Sequence, residues 1–379
     1  MTDLTPSLRE LANDCRTLNE KAHDIDDIEA VSVAAKQTLL DLSDQYESLE
    51  NYYKHLALFA NYFPEHNSSA QPQFSQTPDE IISSIKPSIL MVGTSENKNT
   101  FAFDLIVAAR KANIYSIAFI DMWCNAKNRF KGTKKDPLFF APNELFVSDN
   151  KTKQEFIDLG LDNKQILVTG NPIYESALNF RKRNLNLIDK SKENSDLVKI
   201  SFISEGWDML DKSASQKNKR YNFAGRNSSD FRTIIIMEEL IDSLKRSNLD
   251  TITTFRMHPN SYKEDFEPNI NEFDHICNSG NPYELILDSD IVVGMSSMLL
   301  LEAALIGKPT LSILPDPDEL SWMPNNLEGN THVVQTRDSL DDYWNMQIYK
   351  DYQYNSPKWA SYYSKEIIIK RIMDIKNIL

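Results

Sequence analysis

Several short motifs in this chain place anion-binding residue types at the ends of apolar runs. The longest is Asp290-Ile-Val-Val-Gly-Met-Ser-Ser-Met-Leu-Leu-Leu-Glu-Ala-Ala-Leu-Ile-Gly-Lys-Pro309. It reads as a buried strand, a tight turn at Gly294, and a helix that Gly307-Lys308-Pro309 stops before a second strand from Thr310 to Ile313. Ser296 and Ser297 stand where that helix begins, and serine is a good N-cap. The first turn of a helix leaves amide N–H groups unpaired at the positive end of the dipole, so an anion can bind there. Glu302 lies in the otherwise apolar body of the helix. The plain alternative is an ordinary strand–helix–strand unit with a serine cap.

Other strand ends offer comparable chemistry. Phe255-Arg-Met-His-Pro259 closes an apolar run with His258 and Arg256, and both could meet a phosphate. Ligands of open α/β sheets bind outside the carboxyl ends of the strands, where these residues fall. Phe202-Ile-Ser-Glu-Gly206 could turn tightly against a ligand through Ser204, Glu205 and Gly206. Val168-Thr-Gly-Asn-Pro172 places Gly170 and Asn171 in a turn that could line a cleft wall. Asp121-Met-Trp-Cys-Asn125, with Arg129 behind it, combines a carboxylate, an aromatic ring (Trp123), an amide and a cation in one polar pocket. Asp121 could serve there as a general base, if it reaches the proton it removes. Asp288-Ser-Asp290 has the form of a metal-binding acidic pair, but it precedes its strand and so falls on the wrong side of the sheet. No ligand cluster suggests a metal, and no Gly-rich dinucleotide fingerprint or phosphate loop is present.

The elements that must hold these residues follow from periodicity. Residues 1–63 carry apolar side chains at helical spacing, and 64–79 are polar. Runs at 88–93, 115–120, 144–147 and 166–170 read as strands, alternating with helices at 100–113 and 151–159. Residues 184–197 read as a polar interdomain linker, 198–204 as a new strand, 231–246 as a helix and 251–257 as a strand. Between them, 208–227 reads as a long loop. Its Lys212, Lys217, Lys219, Arg220 and Arg226 form a basic island that could close over phosphates. Residues 359–379 read as a last amphipathic helix. This rhythm predicts parallel, doubly wound α/β units.

Composition narrows the class. A length of 379 residues favours more than one domain. A net charge of −14 argues against nucleic acid or an anionic membrane as partner. The three cysteines show no metal or disulfide spacing and fit a reducing compartment. The N-terminus lacks the pattern of a signal peptide, and no apolar run is long enough to span a bilayer. A cytoplasmic protein is expected.

Taken in order, strand-end Glu205-Gly206, His258-Pro259 and the Ser296-Ser297…Glu302…Gly307-Lys308-Pro309 block resemble the second domain of GT-B-fold proteins that use nucleotide-activated sugars. The acidic-Gly, His-Pro and Ser-Ser set looks like that of bacterial capsule sialyltransferases. The Thr-Gly-Asn-Pro turn and the Met-His-Pro-Asn segment are similar to UDP-N-acetylglucosamine 2-epimerases, although Ser296-Ser297 replaces the glycine-rich turn of that pattern.

The resemblance implies two facing Rossmann-like domains behind an N-terminal helical extension. The expected parts are an extension and linker at 1–80, an acceptor domain at 81–183, a linker at 184–197, a nucleotide-sugar domain at 198–355, and a helix at 356–379 crossing back. It implies a metal-independent glycosyltransferase acting on a surface glycan or related acceptor. A nucleotide-sugar epimerase and a non-catalytic sugar-nucleotide-binding scaffold are the alternatives. Donor contacts would come from Ser204, Gly206, Arg256, His258, Ser296, Ser297 and Glu302. Asp121 and Glu205 would be catalytic, and Trp123, Asn125 and Arg129 would meet the acceptor. No resident cofactor is implied, the nucleotide-sugar being substrate. Self-association through the N-terminal helices is a further expectation.

Overall fold

The computed structural model describes residues 77–94, 99–120, 125–190, 197–205, 220–226, 231–259, 261–361 and 363–378. The leader at 1–63, Asp121, Trp123, Gly206 and most of the 208–227 loop lie outside the described residues. The chain divides into two compact units. The first runs to Glu175 and resumes at Tyr363, and the second runs from Ser176 to Tyr362.

The first unit holds a parallel sheet in the order β1 (Ile89–Val92), β2 (Tyr115–Ile120), β3 (Glu144–Val147), β4 (Ile166–Val168). Its first helix, α1 (Pro78–Ile85), starts inside the stretch read as linker. The cause is local: Thr77-Pro78-Asp79-Glu80 is a capping box, with Thr77 N–H donating to Glu80 Oε2 at 2.7 Å and Glu80 N–H to Thr77 Oγ1 at 3.3 Å. Helices α2 (Phe101–Lys111), α3 (Ala126–Arg129) and α4 (Asn150–Asp158) follow.

The C-terminal helix α12 (Ser364–Ile378) completes this unit. Ile368, Ile372 and Ile375 recur at helical spacing and bury against Ile117 and Phe146 of the sheet. Each is worth about 1.5–3 kcal/mol on full burial. Arg371 locks the register: its Nε donates to Glu144 Oε1 at 2.9 Å and its Nη2 to Oε2 at 3.0 Å. The helix starts later than the spacing suggests. Trp359 belongs to the second unit, where its indole N–H donates to Asn330 Oδ1 at 3.2 Å.

Helix α5 (Pro172–Arg183) carries the chain from one unit to the other, and the short helix α6 (Leu185–Lys190) occupies part of the stretch read as linker. The second sheet is parallel throughout, in the order β10-β9-β8-β5-β6-β7. Its strands are β5 (Leu197–Ile203), β6 (Asp250–Arg256), β7 (His275–Cys277), β8 (Ile291–Gly294), β9 (Thr310–Ile313) and β10 (His332–Val334). The helices used below are α7 (Arg232–Arg246), α8 (Pro282–Asp288), α9 (Met298–Ile306), α10 (Pro324–Leu327) and α11 (Arg337–Asn345). From β5 the chain winds outward through β6 to β7, then returns to the other side of β5 and winds outward through β9 to β10. The order therefore reverses between β5 and β8, and the carboxyl ends of these two strands flank the crevice where an open α/β sheet takes its ligand.

Candidate functional site

Three adjacent strands bring the sequence motifs of the second unit to one edge. The register pairs Phe202 with Val293 and Ile203 with Arg256. Ser204 and Glu205 thus leave β5 between Ser296, which follows β8, and His258, which follows β6. Two strand spacings separate β8 from β6, roughly 10 Å.

Hydrogen bonds tie these ends together. The buried Ser204 hydroxyl accepts the His258 backbone N–H at 2.7 Å, which fixes the turn before Pro259. Ser297 is the N-cap of the nine-residue α9, accepting Leu299 N–H at 3.2 Å. The Ser296 N–H is already taken, because it donates to Glu205 Oε1. Both serines are only half-buried. Gly294, read from the sequence as a tight turn, does not have a positive φ. A Cβ there would meet Ile203 O at 3.4 Å, the near limit of ordinary contact.

Beneath this edge lies a cluster that sequence reasoning missed. Arg232, the first residue of α7, is fully buried. Its Nη1 donates to Glu205 Oε2 at 2.5 Å, its Nε to Glu319 Oε1 at 2.9 Å, and its Nη2 to Glu319 Oε2. Ser296 Oγ stands 3.4 Å from both Arg232 Nη2 and Glu319 Oε2. Burial alone would lower the proton affinity of the guanidinium, but the two carboxylates outweigh it and hold it above its ordinary value. Burial raises the Glu319 carboxyl despite the guanidinium beside it. No local signal marks these residues, since the contacts span 27 and 87 positions.

The other expected residues of the second unit make the following contacts. Arg256 turns towards the segment after β7: it donates to Gly280 O at 3.1 Å, to Ser279 O, and to Cys277 Sγ at 3.0 Å. These contacts hold the turn after β7. Glu302 is partly buried and accepts the Tyr283 hydroxyl of α8. Burial pushes its carboxyl up to about 7, against the opposing Tyr283 hydrogen bond. Of the basic island, Arg220 pairs with Asp316 at 3.1 Å and Asp318 at 2.5 Å, and Arg226 with Asp242 and Glu272, both at 2.5 Å. Their charges are met by carboxylates. Lys212, Lys217 and Lys219 lie outside the described residues.

In the first unit, Arg129 is buried and its Nη1 donates to Thr94 Oγ1 at 3.4 Å. Asn125 is exposed with φ 61° at the start of α3. Gly170 needs its glycine, with φ 75°. Asn171 is fully buried and caps α5, its Oδ1 accepting Ile173 N–H at 2.9 Å. That is a capping geometry, and it accounts for the turn read as a cleft wall. At the opposite strand edge of the second unit, Asp288 pairs with Lys199 Nζ at 2.7 Å and Asp290 accepts the Lys199 N–H at 2.8 Å. Among the described residues no group of three or more His, Cys, Asp or Glu could hold a metal ion. Among them, too, no helix is long and apolar enough to cross a membrane.

No protein-family model matches the chain, and no curated protein matches it in sequence. Solved structures do. The UDP-GlcNAc 2-epimerase of Methanocaldococcus jannaschii, in complex with UDP-GlcNAc and UDP, aligns with a TM-score of 0.53 at 15% identity, over 85% of this chain and 88% of that one. MnaA of S. aureus with UDP gives 0.55 at 14% identity, over 88% of each chain. The UDP-GlcNAc 2-epimerase of Neisseria meningitidis bound to UDP-GlcNAc gives 0.54 at 13% identity, over 86% and 90%. These likenesses carry the architecture: two parallel-sheet α/β units in tandem, in a chain with the GT-B fold.

Proposed function

We propose that the chain is a glycosyltransferase that takes a nucleotide-sugar donor along the carboxyl ends of β5, β6 and β8. The observation that carries this reading is the half-buried Ser296–Ser297 turn at the start of α9, beside the topological reversal and flanked by His258. A helix N-terminus of this kind favours a diphosphate through its amides and its dipole. The His258 imidazole, two positions past β6, would donate to the same anion. Phosphate charge would then be met by protein donors and not by a metal. The acceptor would be a glycan or glycosylated molecule, activated near Asp121 and Trp123 of the first unit, with Asp121 as general base.

Epimerisation is the second reading, favoured by the named activity of two structural neighbours with TM-scores of 0.53 and 0.54. The departure of Ser296-Ser297 from a glycine-rich turn weighs against it. A titration with UDP, GDP, CDP and CMP, followed by turnover assays of the matching nucleotide-sugars, tests both. Glycosyl transfer requires an added acceptor for product to form. Conversion of the nucleotide-sugar to its epimer without acceptor would replace transfer by epimerisation. Binding of none of the four nucleotides would remove both.

A further inference from the structure

We infer that Glu205 is a positioning residue that sets the Ser296–Ser297 turn to receive the nucleotide phosphate, and is not the general base. The inference rests on the phosphate reading of the α9 terminus given above.

Both oxygens of the Glu205 carboxylate are engaged. Oε1 accepts Ser296 N–H, and Oε2 accepts Arg232 Nη1 at 2.5 Å. The residue is 6% exposed and Arg232 0%. A base must approach the proton it removes. To do so Glu205 would have to leave a buried guanidinium, and breaking one side of a buried ion pair is strongly unfavourable. It would also release the amide that holds the turn.

The same contacts explain a positioning role. Helix N-termini leave several amides unpaired. Glu205 claims the one at Ser296, before the cap, and so fixes the path of the chain from β8 into α9. Arg232 extends the hold: one guanidinium joins Glu205 after β5, Ser296 after β8, and Glu319 after β9. Charge supports the assignment. Arg232 supplies one positive charge to the two carboxylates it meets, Glu205 and Glu319, and so offsets part of the negative charge beside the turn.

The test is isothermal titration of the full-length protein with UDP, GDP, CDP and CMP, using Glu205→Gln and Glu205→Asp. A nucleotide has no acceptor proton to lose, so a general base has no influence on its binding. The positioning role predicts that whichever nucleotide the wild type binds is weakened at least tenfold in either variant. Glu205→Asp keeps the charge beside Arg232 while withdrawing the carboxylate from Ser296 by one methylene, and it carries the test if Glu205→Gln fails to fold. Glu144→Gln breaks the half-buried Arg371 pair of the first unit and is the stability control. It should lower the melting temperature and leave nucleotide affinity unchanged. Wild-type affinity in a folded Glu205 variant overturns the inference, as does an equal loss of affinity in Glu144→Gln. If the wild type binds none of the four nucleotides, the phosphate reading itself fails and the inference falls with it.

Discussion

The Glu302 carboxyl should make the second unit less stable as pH rises. It sits in the second turn of α9, partly buried, with only the Tyr283 hydroxyl described as donating to it. Burial pushes it up to about 7 from an ordinary 4.5. A carboxyl with a raised folded-state pKa binds its proton more tightly when folded. Its contribution is therefore complete below pH 4.5 and is lost as pH climbs through about 7. At roughly 1.4 kcal/mol per pH unit, the interval from 4.5 to about 7 amounts to about 3 kcal/mol. Glu302→Gln preserves the shape and the Tyr283 acceptor but cannot ionise. Urea denaturation of the wild type and the variant, at about one pH unit above each end of that interval, measures the term. The variant's relative stability should improve by about 2 kcal/mol between the two conditions. A stability difference that does not change with pH would refute the burial argument for Glu302.

Three more expectations follow from other contacts. Gly307→Ala should cost at least about 2 kcal/mol in a denaturant melt, because φ is +96° and the new Cβ would run into the Arg181 guanidinium that donates to Ile306 O at 2.8 Å. An unchanged midpoint would contradict that crowding. Ser297→Ala removes the α9 cap and should cost about 0.5–2 kcal/mol. If the turn also holds phosphate, the Ser296→Ala/Ser297→Ala double variant should lose about tenfold or more in nucleotide affinity, and wild-type affinity would leave only the capping role. Turnover should survive excess EDTA, since Asp288 and Asp290 are already engaged with Lys199. A strict Mg²⁺ or Mn²⁺ requirement would return attention to that acidic pair.

What could be read in the sequence follows the reach of the forces involved. Strands such as β2 and β3 are mostly buried and appear as largely apolar runs, interrupted by Ser116 in β2 and opened by Glu144 in β3. The short edge strands β7 and β10 were not legible, because each has three residues with at least one exposed to solvent. Helix α11 was not legible because most of its residues are polar and only Leu340, Tyr343 and Trp344 form its buried face, although Thr336 and Ser339 form a capping box at its start. Ser204, His258, Ser296 and Ser297 could be found because strand ends and helix starts are local features. Arg232 and Glu319 could not. An arginine at a helix start reads as solvated, and only chain folding over long separations buries it between two carboxylates.

The C-terminal helix also has a consequence in time. Ile117 and Phe146 are covered by Ile368, Ile372 and Ile375, residues made only after the entire second unit. Ribosomes add roughly 5–20 residues per second, so the intervening stretch takes on the order of 10–40 s to synthesise. During that interval the first sheet is complete in sequence but lacks these three isoleucines over Ile117 and Phe146. Nascent chains of this protein should therefore depend on a chaperone, or on slow closure of the first unit, until the helix emerges. A chain cut before Ser364 would lack the cover of these isoleucines permanently and would be prone to aggregate there, even though every described strand of both sheets is present.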